Sequence, residues 1–212
     1  MGNADYDNMP SDWTDLTKDE YKGLYQLHNL GGGTAKTVFA SIISRYQDPD
    51  GDLGISDEGW EIAAKFLGNA HNIADGEDAV GSVIDGTYPM DEHWASGVLT
   101  EQKDRDYKFQ IMTPDIGEPY VVESLAISAG TKKYDTCVAF LNWLGSSDVQ
   151  LDWSNNYGTI PCQKEALDQV SDDIKELMET LKPQDLDWSF IAENVDAWVE
   201  NCLLYTSPSP RD

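Results

Sequence analysis

The chain has 212 residues, a formal net charge of −25 at pH 7, 40% hydrophobic residues and seven Trp. This length and apolar content support a substantial core and exclude a disordered or low-complexity chain. The negative charge repels phosphates and argues against nucleic-acid binding, and no apolar run approaches the roughly 20 residues that span a bilayer.

The first elements in chain order are predicted to form a strand, a glycine loop and a helix. Residues 11–20 predict a polar, capped helical turn, and residues 24–28 a short strand. The helix after the glycines places Phe39, Ile42 and Ile43 on its buried face.

Further along, strands and helices alternate, which predicts an α/β fold. Short strands are predicted at residues 88–90, 107–112 and 121–127. Helices are predicted at residues 57–67, 77–84, 132–144, 171–181 and 187–199. The chain becomes mostly helical after residue 148, and Pro119 is the predicted boundary between two lobes.

The glycine loop, Gly31, Gly32 and Gly33, precedes Thr34 and Ala35 at the predicted helix start. Glycines allow a ligand to approach the backbone, and free amides with the helix dipole attract an anion, with Thr34 as the expected cap. A strand-to-helix turn without a ligand is the alternative.

The same loop only partly resembles a nucleotide P-loop. Lys36 and Thr37 fit that motif, but Leu30 and Ala35 occupy positions that require glycine. The sequence therefore argues against an NTPase.

The acidic segment that begins at Asp48 resembles the first half of an EF-hand loop. Leu53 replaces the required glycine, and Gly59 replaces the bidentate Glu. A solvated acidic loop is favoured, and a Ca²⁺-regulated interaction module is the alternative.

A second candidate site is the run Asp91, Glu92, His93 and Trp94, which offers two carboxylates, an imidazole and a stacking surface. Asp91, Glu92 and His93 could serve a hydrolase or transferase. Alternatively, Trp94 begins a core-packed helix with exposed acids beside it. The three histidines are widely separated in the sequence, so no metal site is predicted.

The cysteines and the C-terminus give two further expectations. Cys137 falls with Phe140, Leu141 and Leu144 on a helical stripe, which favours a packed free thiol, although a disulfide with Cys162 stays open. Residues 202–212 resemble a translated sequencing adaptor and are expected to be a non-native tail.

Taken as an ordered set, several segments resemble extracellular solute-binding proteins of ABC importers. They include LYQLHNLGGGTAKTVFASII, AVGSVIDGTYPMDEHW and EPYVVESLAISAGTKKYDTCVAFLNWL. The resemblance is narrower to the iron(III), thiamine, phosphonate and sugar-phosphate group, with polyamine binders as relatives. It implies a type 2 periplasmic-binding fold, in which a solute is held between two α/β lobes.

By this resemblance, residues 9–118 form a nearly complete solute-binding lobe, and residues 119–201 form the C-terminal part of the other lobe. The first half of that lobe is expected to precede this chain, together with any targeting signal. The implied location is periplasmic or at the cell surface.

The resemblance also implies a site and partners. The solute would contact Gly31, Gly32, Gly33, Thr34 and Ala35. A second contact would come from Glu92, His93 and Trp94. Iron binders of this group carry adjacent tyrosines where this chain has His93 and Trp94, which favours an organic solute and leaves Fe³⁺ open. The expected protein is a monomeric, non-enzymatic receptor without a cofactor that delivers a small polar or anionic solute to permease subunits.

Overall fold

The computed structural model describes residues 1–206, with side chains to residue 203. The strands are Tyr25–Leu27 (β1), Gln47–Asp52 (β2), His71–Asn72 (β3) and Met90–Asp91 (β4). The helices are Gly33–Ile43 (α1), Asp57–Asn69 (α2), Ala79–Asp85 (α3), Ala95–Arg105 (α4), Tyr134–Leu144 (α5), Ser147–Tyr157 (α6), Lys164–Leu167 (α7), Asp172–Thr180 (α8) and Trp188–Thr206 (α9).

The predicted turn at residues 11–20 consists of two short 3-10 helices, Trp13–Thr17 and Asp19–Tyr21. Asp12 caps the first of them and accepts a hydrogen bond from the Thr14 amide at 2.8 Å. The Asp15 carboxylate returns to the cap and accepts from the Asp12 amide at 3.0 Å. This reciprocal arrangement satisfies amides that the start of a helix would otherwise leave unpaired.

The described residues contain a parallel three-stranded sheet in the order β3-β1-β4. In this register, Gln26 pairs with His71 on one side and with Asp91 on the other. Helices α1 and α2 lie between β1 and β3 in the sequence, as a parallel connection requires. Because all three strands run the same way, the loops that follow them begin at one edge of the sheet.

The chain divides into two compact units. The first contains Met1–His93, Tyr107–Pro119 and the described residues from Pro183 onward, and the second contains Trp94–Asp106 and Tyr120–Lys182. Compared with the predicted lobe at 9–118, the first unit begins at Met1, excludes residues 94–106, and includes Pro119 and the described residues from Pro183 onward. The assignment of lobes at 9–118 and 119–201 stays a prediction.

The core of the first unit includes Tyr25 and Leu27 from β1, Phe39 from α1, Phe66 from α2 and Trp198 from α9. The Trp198 indole N–H donates to the Leu53 carbonyl oxygen at 3.0 Å and so joins α9 to the end of the β2 hairpin. In the second unit, the amphipathic helix α8 buries Ile174 and Leu177, as its sequence periodicity predicts.

The last helix, α9, continues beyond the predicted end at residue 199 to Thr206. Cys202 is buried and belongs to the core of the first unit. The expected non-native tail therefore begins within a helix, and its residues 207–212 lie outside the described part of the chain. No helix in residues 1–206 combines the length and apolar character needed to cross a bilayer.

The two later strand predictions are wrong. Gln110 makes only an isolated antiparallel bridge with Gly2, and residues 121–127 form neither helix nor strand. Val121 and Val122 are exposed. A β-rich run becomes a strand only when a neighbour pairs with its backbone, and no described strand lies beside residues 121–127.

The buried stripe predicted on α5 is also wrong, although the helix itself is confirmed. Cys137 and Leu144 are half-buried, and Phe140 is exposed. A helical period shows which side chains share a face, but burial needs an element packed against that face. Cys137, Cys162 and Cys202 are free thiols.

The acidic loop at residues 48–54 forms a tight hairpin that includes β2. Its Asp48 amide donates to the Gly54 carbonyl oxygen at 2.9 Å, and Gln47 pairs with Ile55 in antiparallel fashion. Leu53 and Gly54 both have positive φ angles, 51° and 77°. The hairpin is organised by its own backbone hydrogen bonds.

Candidate functional site

The polar residues singled out in the sequence follow β1 and β4 at the carboxyl edge of the sheet. Gln26 pairs with Asp91, and the Glu92 amide donates to the Gln26 carbonyl oxygen at 3.2 Å. In open parallel sheets, ligands bind at this edge because the loops after the strands meet there. His28 and the glycine loop follow β1 directly, and Glu92 and His93 follow β4.

The glycine loop is exposed, and its backbone leads directly into α1. The Gly31 amide donates to the Asn29 side-chain oxygen at 2.7 Å, and the Gly32 amide donates to the Asn29 carbonyl oxygen at 2.8 Å. Asn29 thus fixes the loop from its first residue. An α-helix leaves its first amides without intrahelical partners, so the amides of Gly33, Thr34 and Ala35 are the ones available to an anion.

The predicted capping role of Thr34 is wrong. The N-cap of α1 is Gly32, which has extended backbone angles and no capping side chain, and Thr34 lies inside the first turn. The Thr34 side chain is half-buried, and that of Ala35 is buried. Because no capping side chain accepts their hydrogen bonds, the first amides of α1 can donate to a ligand at the carboxyl edge of the sheet.

Lys36, the residue that suggested a nucleotide P-loop, is engaged elsewhere. Its ammonium group donates to the Asp196 carboxylate of α9 at 2.9 Å. The pair joins α1 to α9 and gives the lysine a structural partner, in agreement with the argument against an NTPase.

The second predicted cluster contains buried acids and an exposed tryptophan. Asp91 and Glu92 are 3% and 2% exposed, whereas Trp94 is 50% exposed. Trp94 is the N-cap of α4 and the first residue of the second unit. The alternative in which Trp94 packs in a core beside exposed acids is therefore wrong.

His28 and His93 meet at this edge, with ring centroids 6.1 Å apart. The His93 Nδ1 atom lies 3.1 Å from the Asp91 Oδ2 atom. His28, Asp91 and His93 each offer one ligand atom, and these atoms all lie within 4.8 Å of one another. The argument that the histidines are too far apart in the sequence is wrong for this pair, because the register of β1 and β4 brings them together.

Sequence reasoning missed His28 as a site residue and gave Asp91 only a catalytic alternative. Each stands at the carboxyl end of a strand that the sequence predicted approximately, 24–28 and 88–90. The cluster could be predicted only if these two strands were known to be parallel neighbours. Strand pairing depends on the tertiary fold, so the local sequence does not show it.

Glu92 is the most perturbed acid at this edge. Burial raises the pKa of Glu92 to about 7, the adjacent Asp91 carboxylate adds to the rise, and the His28 backbone amide opposes it. Both Glu92 side-chain oxygens are buried and accept no hydrogen bond of normal geometry among the described residues. The Met1 amino group is nearby and donates to the Asp91 carbonyl oxygen at 2.7 Å.

The described residues of the first unit line at least two cavities. One of about 30 Å³ lies against Met90, Asp91 and Glu92 and holds no more than a water molecule. The other, about 270 Å³, includes Arg45 and Gln184 in its lining. The Arg45 Nη2 and Gln184 Oε1 atoms are buried and have no hydrogen-bond partner within residues 1–206.

Residues 2–182 match the family model described as bacterial extracellular solute-binding protein. The chain belongs to this family. The probable ABC transporter periplasmic-binding protein y4fP of Sinorhizobium fredii is 32% identical over 197 residues, which cover 93% of this chain and 54% of that protein. The chain thus spans about half of the length of this curated relative.

Two solved structures of similar fold are ferric-binding proteins. The ferric binding protein from Campylobacter jejuni aligns with a TM-score of 0.74 and 20% identity, covering 96% of this chain and 66% of that one. The apo ferric ion-binding protein A of Pasteurella haemolytica aligns with a TM-score of 0.73 and 17% identity, covering 96% and 64%. These matches confirm the predicted α/β fold of the type 2 periplasmic-binding class.

The comparisons also distinguish between the two functional hypotheses. The family and the relatives are binding proteins, which supports solute binding over the hydrolase or transferase hypothesis for Asp91, Glu92 and His93. The contacts predicted for Gly31–Ala35 and for Glu92, His93 and Trp94 stay predictions.

Proposed function

We propose that the protein containing this chain is the solute-binding component of an ABC importer. It works outside the cytoplasmic membrane, captures a small polar solute and delivers it to permease subunits as a monomer. The family match and the name of the Sinorhizobium relative support this assignment. The supporting feature within the chain is the pairing of Gln26 with Asp91, which gathers two predicted ligand-binding segments at one sheet edge.

The proposed contacts divide by chemistry. An anionic or polar end of the solute would contact the exposed segment Gly31, Gly32 and Gly33. It would also accept hydrogen bonds from the first amides of α1, at Thr34 and Ala35. Glu92 and His93 supply a carboxyl and an imidazole from the neighbouring strand, and the exposed Trp94 indole suits a flat or apolar part. No group is assigned to bond making, so the protein binds its solute without changing it.

Isothermal titration of the complete protein tests this proposal. The panel contains phosphorylated sugars, phosphonates, thiamine, polyamines and metal ions, each titrated into protein stripped of bound solute. We expect one member or class to bind with 1:1 stoichiometry and to be recovered unaltered. Failure of every class to bind, or turnover that His93→Ala abolishes in a folded protein, would contradict the proposal.

A further inference from the structure

We infer that His28, Asp91 and His93 form a binding site for a divalent transition-metal ion of the Zn²⁺ type, and that this ion is the transported solute. The inference rests on the proposed function and names the class of solute. Two imidazoles and one carboxylate offer ligand atoms that all lie within 4.8 Å of one another. Among residues 1–206, this is the one such group of three or more candidate ligands.

The ligand types favour a borderline divalent ion. Imidazole nitrogens suit Zn²⁺, Cu²⁺ and Ni²⁺, and a set of two histidines and one carboxylate is found at zinc sites. Zn²⁺ takes His nitrogens and carboxylate oxygens at about 2.0–2.2 Å, so tetrahedral ligand atoms lie about 3.4 Å apart. Movement of little more than about 1 Å would bring these three side chains onto an ion.

The sheet holds the ligands in place before any ion binds. Asp91 ends β4, its side chain is fully buried, and that of His93 is 6% exposed. The Asp91 Oδ2 and His93 Nδ1 atoms lie 3.1 Å apart, which is close to the separation of two ligand atoms on one zinc ion. Strand pairing through Gln26 sets the position of His28, which directly follows β1, relative to both.

The buried charge also favours a cation. The Asp91 Oδ1 atom is buried and has no hydrogen-bond partner within residues 1–206. A buried carboxylate is stable only when other groups compensate its charge, and a divalent ion would do so directly. The Met1 amino group donates to the Asp91 backbone oxygen at 2.7 Å and interacts electrostatically with the Asp91 charge, so an ion would share this compensation.

Three protein ligands leave part of the coordination sphere open. Structural zinc sites are closed by four protein ligands, whereas a site with three keeps an exchangeable position. An open site is what a carrier needs, because it must release the ion to its permease. The same opening admits a donor atom from solvent or from a small molecule that accompanies the ion.

His71 offers a matched control, because it is the one histidine of the sequence besides His28 and His93. His71 lies in β3, donates or accepts a hydrogen bond with Glu77 at 2.8 Å, and stacks on Tyr88 with centroids 4.2 Å apart. It belongs to the same unit as the cluster but not to the cluster itself. His71→Gln therefore removes one imidazole without touching the inferred ligands.

The test combines titration with imidazole NMR on the 212-residue chain. Zn²⁺ is titrated into chelator-treated protein. Calorimetry measures the heat of binding, and NMR records the ¹⁵N signals of the three imidazoles. We expect 1:1 binding that shifts the His28 and His93 signals and leaves that of His71 in place. His28→Gln and His93→Gln should each weaken binding at least tenfold, as even the loss of a supporting residue around a metal does, and His71→Gln should not.

Two further measurements keep the outcome interpretable. Far-UV circular dichroism verifies that each variant folds, and Asp91→Asn provides an alternative if a histidine variant does not. Absence of stoichiometric Zn²⁺, Cu²⁺ and Ni²⁺ binding by the folded chain, or equal binding by all variants, would overturn the inference. If the complete protein then bound an organic solute in chelator-treated buffer, the proposed importer function would stand without the metal site. If it bound nothing, both would fall.

Discussion

The rings of His28 and His93 lie 6.1 Å apart, although one follows the first strand of the sheet and the other follows the last. Their meeting depends on a single register, in which Gln26 of β1 pairs with Asp91 of β4. A shift of one residue would turn the side chains of one strand to the opposite face of the sheet and separate the pair. The candidate site is thus a direct consequence of the parallel pairing.

Gly33→Asp tests the anion-facing role of the glycine loop. A Cβ atom at Gly33 meets nothing within 4 Å, so the side chain is accommodated. A carboxylate at a helix start stabilises the helix by about 0.3–1 kcal/mol, and the same charge repels an anionic solute. We expect a melting temperature at or above that of the wild type. Affinity for an anionic solute, or for an anion that accompanies a bound metal ion, should be at least about tenfold lower by titration calorimetry.

The neutral variant Gly33→Asn is the matched control for this experiment. It adds a side chain of the same size without the charge and should retain most of the affinity. An equal loss in both variants would indicate steric exclusion, and unchanged affinity in both would place the solute away from this loop.

Glu92→Gln should remove a pH dependence of folding stability. The pKa of Glu92 rises from 4.5 to about 7 on folding, so the folded state binds more protons between these values. The stability from this group is complete below pH 4.5 and falls by about 3 kcal/mol as the pH rises through 7. Chemical denaturation in chelator-containing buffer at pH 4.5 and pH 8 measures the difference.

In this comparison, the wild type should lose more stability than Glu92→Gln between the two pH values. The variant should also be the more stable of the two proteins at pH 8, because it buries no charge at this position. Parallel pH profiles for the two proteins would show that Glu92 ionises in the folded chain as it does in water.

Asp15→Asn tests the capped turn near the N-terminus. Partial burial raises the pKa of Asp15, but hydrogen bonds from Lys18, Ser11 and Asp12 outweigh this effect and lower it from 3.8 to about 2. The stabilisation is therefore complete above pH 3.8 and is lost as the pH falls toward 2. We expect the variant to be about 1 kcal/mol less stable at pH 7, in the usual range for a lost cap.

The decisive feature of the Asp15 experiment is its acid limit. The stability difference between wild type and variant should shrink as the pH approaches 2, where the wild-type carboxylate becomes protonated. Urea denaturation at several pH values measures this trend, and a difference that persists unchanged in acid would exclude the capping carboxylate as its cause.

The three thiols should differ in reactivity because their surroundings differ. Cys162 is exposed, Cys137 is half-buried, and burial raises the pKa of Cys202 to about 11. The thiolate is the reactive form, so we expect Cys162 to react first with a thiol reagent and Cys202 only after denaturation. Rapid modification of Cys202 in the native protein, read by mass spectrometry, would show that α9 does not pack through this residue.

The sequence was sufficient to predict elements that depend on local signals. The helix after the glycines is found at Gly33–Ile43, and Ser56 caps α2 one residue before its start. Periodicity and capping act within a few residues, so they are visible without tertiary context.

The candidate site was only partly predictable for the opposite reason. The burial of Asp91 and Glu92 depends on β1 as their neighbour, and the absence of a strand at residues 121–127 depends on a missing partner. The local sequence pattern does not show whether a strand will lie beside either segment. Glycine-rich and charged segments marked the sheet edge correctly, but the pairing of His28 with His93 required the fold.

The measurement closest to the central claim is hydrogen exchange of the complete protein, with and without the solute that titration identifies. The account predicts slowed exchange at residues 28–35 and 90–93, the two segments at the carboxyl edge of β1 and β4. Protection confined to the cavity beside Arg45 and Gln184, with exchange at both segments unchanged, would contradict it.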